Sequence, residues 1–477
     1  MTKPCDLSAI EARRLIGNKS LSPVELLESC LDRIAETNPA LNAIVAVDEE
    51  GARAAANNAE RAVLNGEPLG PLHGLPIGIK DLQATAGLTT TYGSLIYKDF
   101  VPDEDEDSVA NLRDEGAVIL AKTNTPEFGA GANTKNRVYG ATGNPFDPQK
   151  TCGGSSGGSA VALAVGQVPL ATGSDYGGSL RTPASFCGIA GFRPSPGVVP
   201  GIERASLVTP FPVMGPMGRS IADLHLLLKG QIDVDKRDPY SSDDVMRIPD
   251  HLSGVDLATL TVAYSADLGC APVSRAIREV FHRRIRSFHS VFGESAEAAP
   301  DFAHVHDVFE TLRGIYFLGA HRERVEEYRE LLGPNVIDNT ERGLQLTAND
   351  VALAQVEQAK IMRRFADFFD DFDVLICPAA AVSPFPHNQL SVVDIDGEKM
   401  PTYMSWLALT YAPTAALGCA AVLPCGVDDF GLPFGIQIIG PNGSDALILE
   451  VAHALEQRLA DNAETARPTP DIAGLTA

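Results

Sequence analysis

Two clusters of small residues carry the most chemistry in the sequence. The first is Gly153-Gly154-Ser155-Ser156-Gly157-Gly158-Ser159; the second, one apolar run later, is Ser174-Asp175-Tyr176-Gly177-Gly178-Ser179-Leu180-Arg181. A serine hydroxyl attacks a carbonyl only when a base takes its proton, and the tetrahedral intermediate needs N–H donors aimed at its oxyanion. Tyr176, Gly177, Gly178 and Ser179 offer consecutive backbone N–H groups, and the two glycines permit the sharp turn that points them inward. Nucleophile and oxyanion hole then come from one short segment. The base must come from elsewhere, and the candidate is Lys80, which ends the apolar, β-like run Leu75-Pro76-Ile77-Gly78-Ile79. Burial lowers a lysine from about 10.4 by up to several units, and only the neutral amine can take a proton near pH 7.

Each feature also has a plainer reading. Gly/Ser tracts serve as flexible linkers, but here an apolar run lies between the two and leads straight into the second. Glycine loops cradle phosphates, yet neither loop ends in Gly-Lys-Ser/Thr. Gly153 to Gly157 also fits G-x-S-x-G, the nucleophile elbow, but that motif follows an apolar strand and here follows the polar turn Phe146 to Cys152. A lysine at a strand end is more often at the surface or in an ion pair.

These loops need a scaffold. Ser22 caps a helical run with Pro23 at its first position, and an alanine-rich helix spans about Asp48 to Val63. Short apolar runs at Ile77–Ile79, Ala117–Leu120 and Val168–Leu170 then alternate with amphipathic segments, which is the pattern of an α/β domain. From about Ser274 to Phe372 the reading is almost wholly helical. Strands return at Val374–Cys377, Ala420–Leu423 and Phe434–Ile439, before a closing helix from Ser444 to about Leu459. The expected organisation is a single large α/β/α domain whose central mixed sheet is covered by helices on both faces. Its parts are a helical segment (1–65), a core bearing the Gly/Ser loops (66–230), a mostly helical cap or insertion (231–372), the rest of the core (373–462) and a loose tail (463–477).

Composition narrows the function classes. With 477 residues and 44% hydrophobic content the chain can bury a large core. A formal charge of −24 argues against nucleic acid, because the surface repels phosphate. The segment Met1–Ile10 lacks a signal-like apolar run, and the most apolar stretch, Ala160–Thr172, is too short to cross a bilayer. Eight cysteines form no C-x-x-C pair and read as reduced packing residues. The expectation is a cytoplasmic protein with no membrane partner and no metal.

The Gly74–Asp81 segment, Lys122-Thr123-Asn124-Thr125-Pro126-Glu127-Phe128, Gly143-Asn144-Pro145 and the run Gly431 to Pro441 resemble the amidase signature hydrolases over nearly the whole chain. The resemblance implies that Lys80 is the base, Ser155 the bridging serine and Ser179 the nucleophile. It implies hydrolysis of an aryl or alkyl amide, anilide or carbamate, without metal or organic cofactor. Phe128 to Asn133 matches the family loop beside the scissile carbonyl, so Gly129, Ala130 and Gly131 are the candidate substrate-binding residues. Ser156, Asp175 and Arg181 are expected to support the loops. The chain departs from the family pattern at Cys152, Tyr176 and Cys419, none of which is among the three catalytic positions. A glutaminase subunit of a tRNA-dependent amidotransferase shares the same triad and is the alternative within the class. A binding protein that kept the fold and lost the chemistry would be expected to lack one of the three residues. A homodimer is left open, and the pocket wall built by the helical middle is unassigned.

Overall fold

The computed structural model describes residues 3–243 and 248–476. Of the segments delimited above, residues 1, 2, 244–247 and 477 lie outside the described residues. Among those described, eleven strands form one mixed sheet. From edge to edge they are Ile44–Val47, Val118–Thr123, Pro76–Lys80, Leu170–Asp175, Val213–Gly218, Ala190–Arg193, Cys419–Val427, Pro433–Gly440, Val374–Pro378, Thr261–Tyr264 and Glu294–Glu297. Pro76–Lys80 runs parallel to both of its neighbours, with Ile77 opposite Leu170 and Lys80 opposite Thr123. The ends of Pro76–Lys80 and Leu170–Asp175 therefore open at the same rim of the sheet, where α/β folds place their sites.

Local sequence explains the elements. Pro76–Lys80 and Val118–Thr123 are buried at every position, and each starts as an unbroken apolar run, through Ile79 and Ala121, before its polar end. Leu170–Asp175 does not, because Thr172 and Ser174 are polar. The strand tolerates Thr172 inside because its hydroxyl accepts from Lys80 N at 3.0 Å and donates to Gln83 Oε1. Helix Pro23–Leu41 starts at Ser22 with a reciprocal capping box to Glu25, and helix Glu49–Asn65 starts at Asp48, whose carboxylate accepts from Gly51 N at 2.8 Å. Helices cover both faces. Along Pro433–Gly440, a Cβ at Gly435 would meet Ser185 of helix Arg181–Cys187, and one at Gly440 would meet Ile448 of helix Asp445–Ala460. Five positions apart on a strand point to opposite faces.

One expectation is sharpened and one is corrected. The stretch 231–372, expected to be mostly helical, also contributes to the sheet. It supplies helices Arg275–Phe288, Val305–Tyr328, Pro334–Gln345 and Ala348–Phe368, but also the strands Thr261–Tyr264 and Glu294–Glu297 at one sheet edge. Glu-Ser-Ala-Glu carries no apolar signal because an exposed edge strand needs only backbone pairing. Residues 463–476 are not loose. Thr465 and Leu475 are buried, and Arg467 Nε donates to Gly188 O at 2.8 Å. Among the described residues no helix is long and apolar enough to cross a membrane, and the eight cysteines are unpaired, seven of them buried.

Candidate active site

Lys80 is fully buried at the end of its strand. Its Nζ lies 2.7 Å from Ser155 Oγ, 2.8 Å from Ser156 Oγ and 2.9 Å from Ser174 Oγ, so three hydroxyls enclose the amine. Burial pulls its pKa from the ordinary 10.5 down to about 7, with the charge of Asp175 opposing the drop. Ser155 stands two residues before helix Gly157–Ala164 and follows a cis peptide bond from Gly154. That helix starts deep in the core: Gly158 N donates to Asn124 O at 3.1 Å, and a Cβ at Gly158 would fall 2.2 Å from Asn124 N. Only glycine permits this approach, which sets Ser155 and Ser156 against the lysine.

The second loop turns immediately after the strand Leu170–Asp175. Asp175 organises it. Its carboxylate accepts from Gly178 N at 2.7 Å, Leu180 N at 3.1 Å, Arg181 Nε and Nη2 at 3.0 Å each, and Arg193 Nη1 at 3.3 Å. Burial alone pushes that carboxyl up, but the two guanidiniums overcome it and hold the group well below the usual carboxylate range. All three side chains of this charge cluster are excluded from solvent. Gly178 adopts φ +132°, a conformation that disfavours side chains, and a Cβ there would lie 2.3 Å from Thr410 Oγ1. The two loops are joined where Ser156 N donates to Ser179 O at 3.2 Å. Ser155 and Ser179 line one cavity, and among the described residues no hydrogen bond engages the Ser179 hydroxyl.

The amidase family profile matches residues 25–449 of this chain. The chain belongs to the amidase signature family. It is 33% identical over 470 residues to an acylamidase of Rhodococcus erythropolis, covering 98% of this chain and 96% of that one. It is 32% identical over 490 residues to a subunit of the glutamyl-tRNA(Gln) amidotransferase of Acidothermus cellulolyticus, covering 94% of each. Among solved structures it is similar to a bacterial aryl acylamidase of the amidase signature family, with a TM-score of 0.86, 27% identity, and 94% and 96% of the two chains covered.

Not every residue expected of this amidase signature site sits as expected. The Gly178 N–H is taken by Asp175, because that carboxylate must hold the turn. The backbone donors without a partner among the described residues are therefore those of Tyr176, Gly177 and Ser179. Gly129 lines the cavity at φ +70°, and a Cβ there would approach Ser155 Oγ to 3.3 Å. Gly131 borders a small recess shared with Gly177, Gly178 and Ser179. Ala130 does not reach the cavity. Its methyl is buried with Phe317, Val325, Leu332 and Val336, and its carbonyl accepts from Asn335 Nδ2 at 2.8 Å.

The cavity measures about 770 Å³ and is walled by the rings of Tyr92, Tyr97, Phe100, Phe128, Tyr316 and Phe317. Tyr316, Phe317, Arg313 and His321 come from helix Val305–Tyr328, whose part in the site had no local signal because inward and outward residues alternate there as in any amphipathic helix. Ser174 was visible as part of the second loop, but its contact with Lys80 was not. Among the described residues no group of three His, Cys, Asp or Glu side chains is placed to hold a metal ion.

Proposed function

We propose that this protein hydrolyses the carbon–nitrogen bond of a small-molecule amide, anilide or carbamate through an acyl-enzyme on Ser179. The observation that carries the reading is the amine of Lys80, buried, drawn down to about 7 and enclosed by three hydroxyls. A neutral amine has two hydrogens and one lone pair. The Ser156 hydroxyl donates to Ser174 O at 3.3 Å, so toward Lys80 it accepts. With Ser156 and Ser174 receiving the two hydrogens, the lone pair takes the proton of Ser155.

In the forward step Ser179 passes its proton to Ser155 as Ser155 passes its own to Lys80, and Ser179 Oγ attacks the carbonyl carbon. The oxyanion is held by the free N–H groups of Tyr176, Gly177 and Ser179; one such donor contributes about a hundredfold to a thousandfold in rate. Ser155 then returns a proton to the leaving nitrogen, recovering its own from Lys80, and the C–N bond breaks. Water attacks the acyl group by the same relay and frees the carboxylic acid and Ser179. The scheme calls on no metal or organic cofactor.

The aromatic walls of the cavity favour a substrate with an aryl or extended apolar portion over glutamine, which is small and polar. The likeness to an amidotransferase component keeps the glutaminase reading in play, and glutaminase activity appearing only with added partner subunits would establish it. The test of the preferred reading is labelling by a fluorophosphonate probe, followed by hydrolysis of a panel of anilides, primary amides, esters and carbamates. Ser179 is expected to carry the label, and Ser179→Ala is expected to lose turnover. Near-parent rates in Ser179→Ala, or no label on folded protein, would overturn the assignment.

A further inference from the structure

Arg313 is a cation with no counter-charge. Its side chain is 3% exposed, and among the described residues it forms no ion pair. Nε donates to Asn339 Oδ1 at 2.9 Å and Nη2 to Tyr403 Oη at 2.7 Å, both neutral acceptors. Nη1 has no protein acceptor among the described residues. The guanidinium also covers the rings of Tyr176 at 5.0 Å and Phe317 at 4.4 Å. Other deeply buried arginines are paired: Arg181 and Arg193 with Asp175, and Arg204 with Asp238. A buried charge left without an opposite partner is costly, and the faces of aromatic rings offset only part of that cost.

Its position says what the missing partner is. Arg313 borders both the large cavity and the small recess beside Gly177, Gly178 and Ser179, so a group seated against it shares one cavity with the Ser179 hydroxyl. Of the carboxylates that line the cavity, Asp175 is already held by two arginines, and among the described residues neither the acidic run 104–107 nor Glu203, Asp233 or Asp235 forms an ion pair with Arg313. Tyr176 adds a second unspent donor. Its ring lies under Arg313, and its buried hydroxyl has no hydrogen-bond partner. Two donors on one wall, one of them a guanidinium, match a carboxylate, which takes planar forked donors best.

We infer that Arg313 is a substrate-recognition residue and that the substrate carries a carboxylate, seated between Arg313 and Tyr176 while the amide lies at Ser179. The inference rests on the amidase reading and narrows its substrate class to amides bearing an acid group. The aromatic walls then receive the remaining, apolar part of the molecule.

Two matched pairs test this. Succinic mono-para-nitroanilide against butyric para-nitroanilide places the carboxylate on the acyl side. Para-acetamidobenzoate against para-acetamidotoluene places it on the amine side. The full-length protein should prefer the acid of one pair by about tenfold to a hundredfold in kcat/KM, the worth of one charge-assisted contact, and mainly through KM. In Arg313→Gln the ratio should fall to about one; in Arg313→Lys, which keeps the charge and loses the fork, it should be reduced. Where Arg313→Gln does not fold, the lysine variant decides, and an undiminished ratio there counts against the inference. Equal rates within both pairs, or a preference that survives in Arg313→Gln, overturns it while leaving the amidase reading intact. Calorimetric titration with succinate is the readout independent of turnover. Saturable binding lost in Arg313→Gln supports the inference, and absence of binding to the parent sinks it. Should no substrate turn over and Ser179 take no fluorophosphonate label, the amidase reading fails and the succinate titration alone judges Arg313.

Discussion

The buried amine of Lys80 leads to a prediction with two separate readouts. With a pKa of about 7, about one molecule in ten carries the neutral amine at pH 6 and about one in a hundred at pH 5, so kcat/KM on any neutral anilide should fall tenfold per pH unit below 7 and level off above about 8. The second readout is stability. A drop from 10.5 to about 7 corresponds to about 5 kcal/mol of work against the folded state. The folded pKa lies below the unfolded one, so between about pH 7 and 10.5 the unfolded chain holds the extra proton. Stability therefore rises with pH through that window, and the cost is complete below pH 7. Lys80→Met removes the titration while filling a similar volume. Its unfolding free energy relative to the parent should decline by about 2 kcal/mol between pH 7 and pH 9, because every other group titrates in both proteins and cancels. Urea unfolding at the two pH values measures it. A rate flat from pH 5 to 8, or a stability difference that does not move with pH, refutes the neutral amine.

The neighbours of Lys80 should respond in specified ways. Ser156→Ala removes an acceptor that stabilises the charged amine, so the acid limb of the rate profile should shift to lower pH; an unmoved limb means that this contact does not bear on the base. Asp175→Asn leaves Arg181 and Arg193 buried without their carboxylate and should cost about 3–5 kcal/mol in denaturant unfolding. A loss under about 1 kcal/mol would mean that the two guanidiniums find other partners. Gly129→Ala forces a side chain into a left-handed backbone at φ +70°, worth about 1–2 kcal/mol, and crowds Ser155. Steady-state kinetics should show kcat falling more than KM changes; parent-like kcat would argue that this loop yields freely.

How much of this could be read from residue order differs by element. The capped helices Pro23–Leu41 and Glu49–Asn65 were legible because Ser22, Pro23 and Asp48 act within one turn of the backbone they serve. The strands Pro76–Lys80, Val374–Pro378 and Pro433–Gly440 were legible because burial on both faces demands mostly apolar runs, polar only at Lys80 and Gln437. Leu170–Asp175 was half hidden, since its polar residues are satisfied by Lys80 and Gln83, partners about ninety residues away in the chain. Glu294–Glu297 was hidden altogether, being an edge that asks nothing of its side chains.

The candidate site divides the same way. Lys80, Ser155 and Ser179 can be picked out in order along the chain because glycine turns and a cation ending an apolar run are unusual enough to mark themselves. That the amine touches Ser156 and Ser174 and that Arg313 arrives uncompensated beside Tyr176 follow from contacts between segments far apart in the chain, and that Asp175 consumes the Gly178 N–H follows from how the fold closes the turn between them. Residue order determines which groups are available and where the backbone turns. The tertiary structure alone decides how dry each group is and which donor faces which acceptor, because desolvation and hydrogen-bond pairing depend on what the rest of the fold places around it.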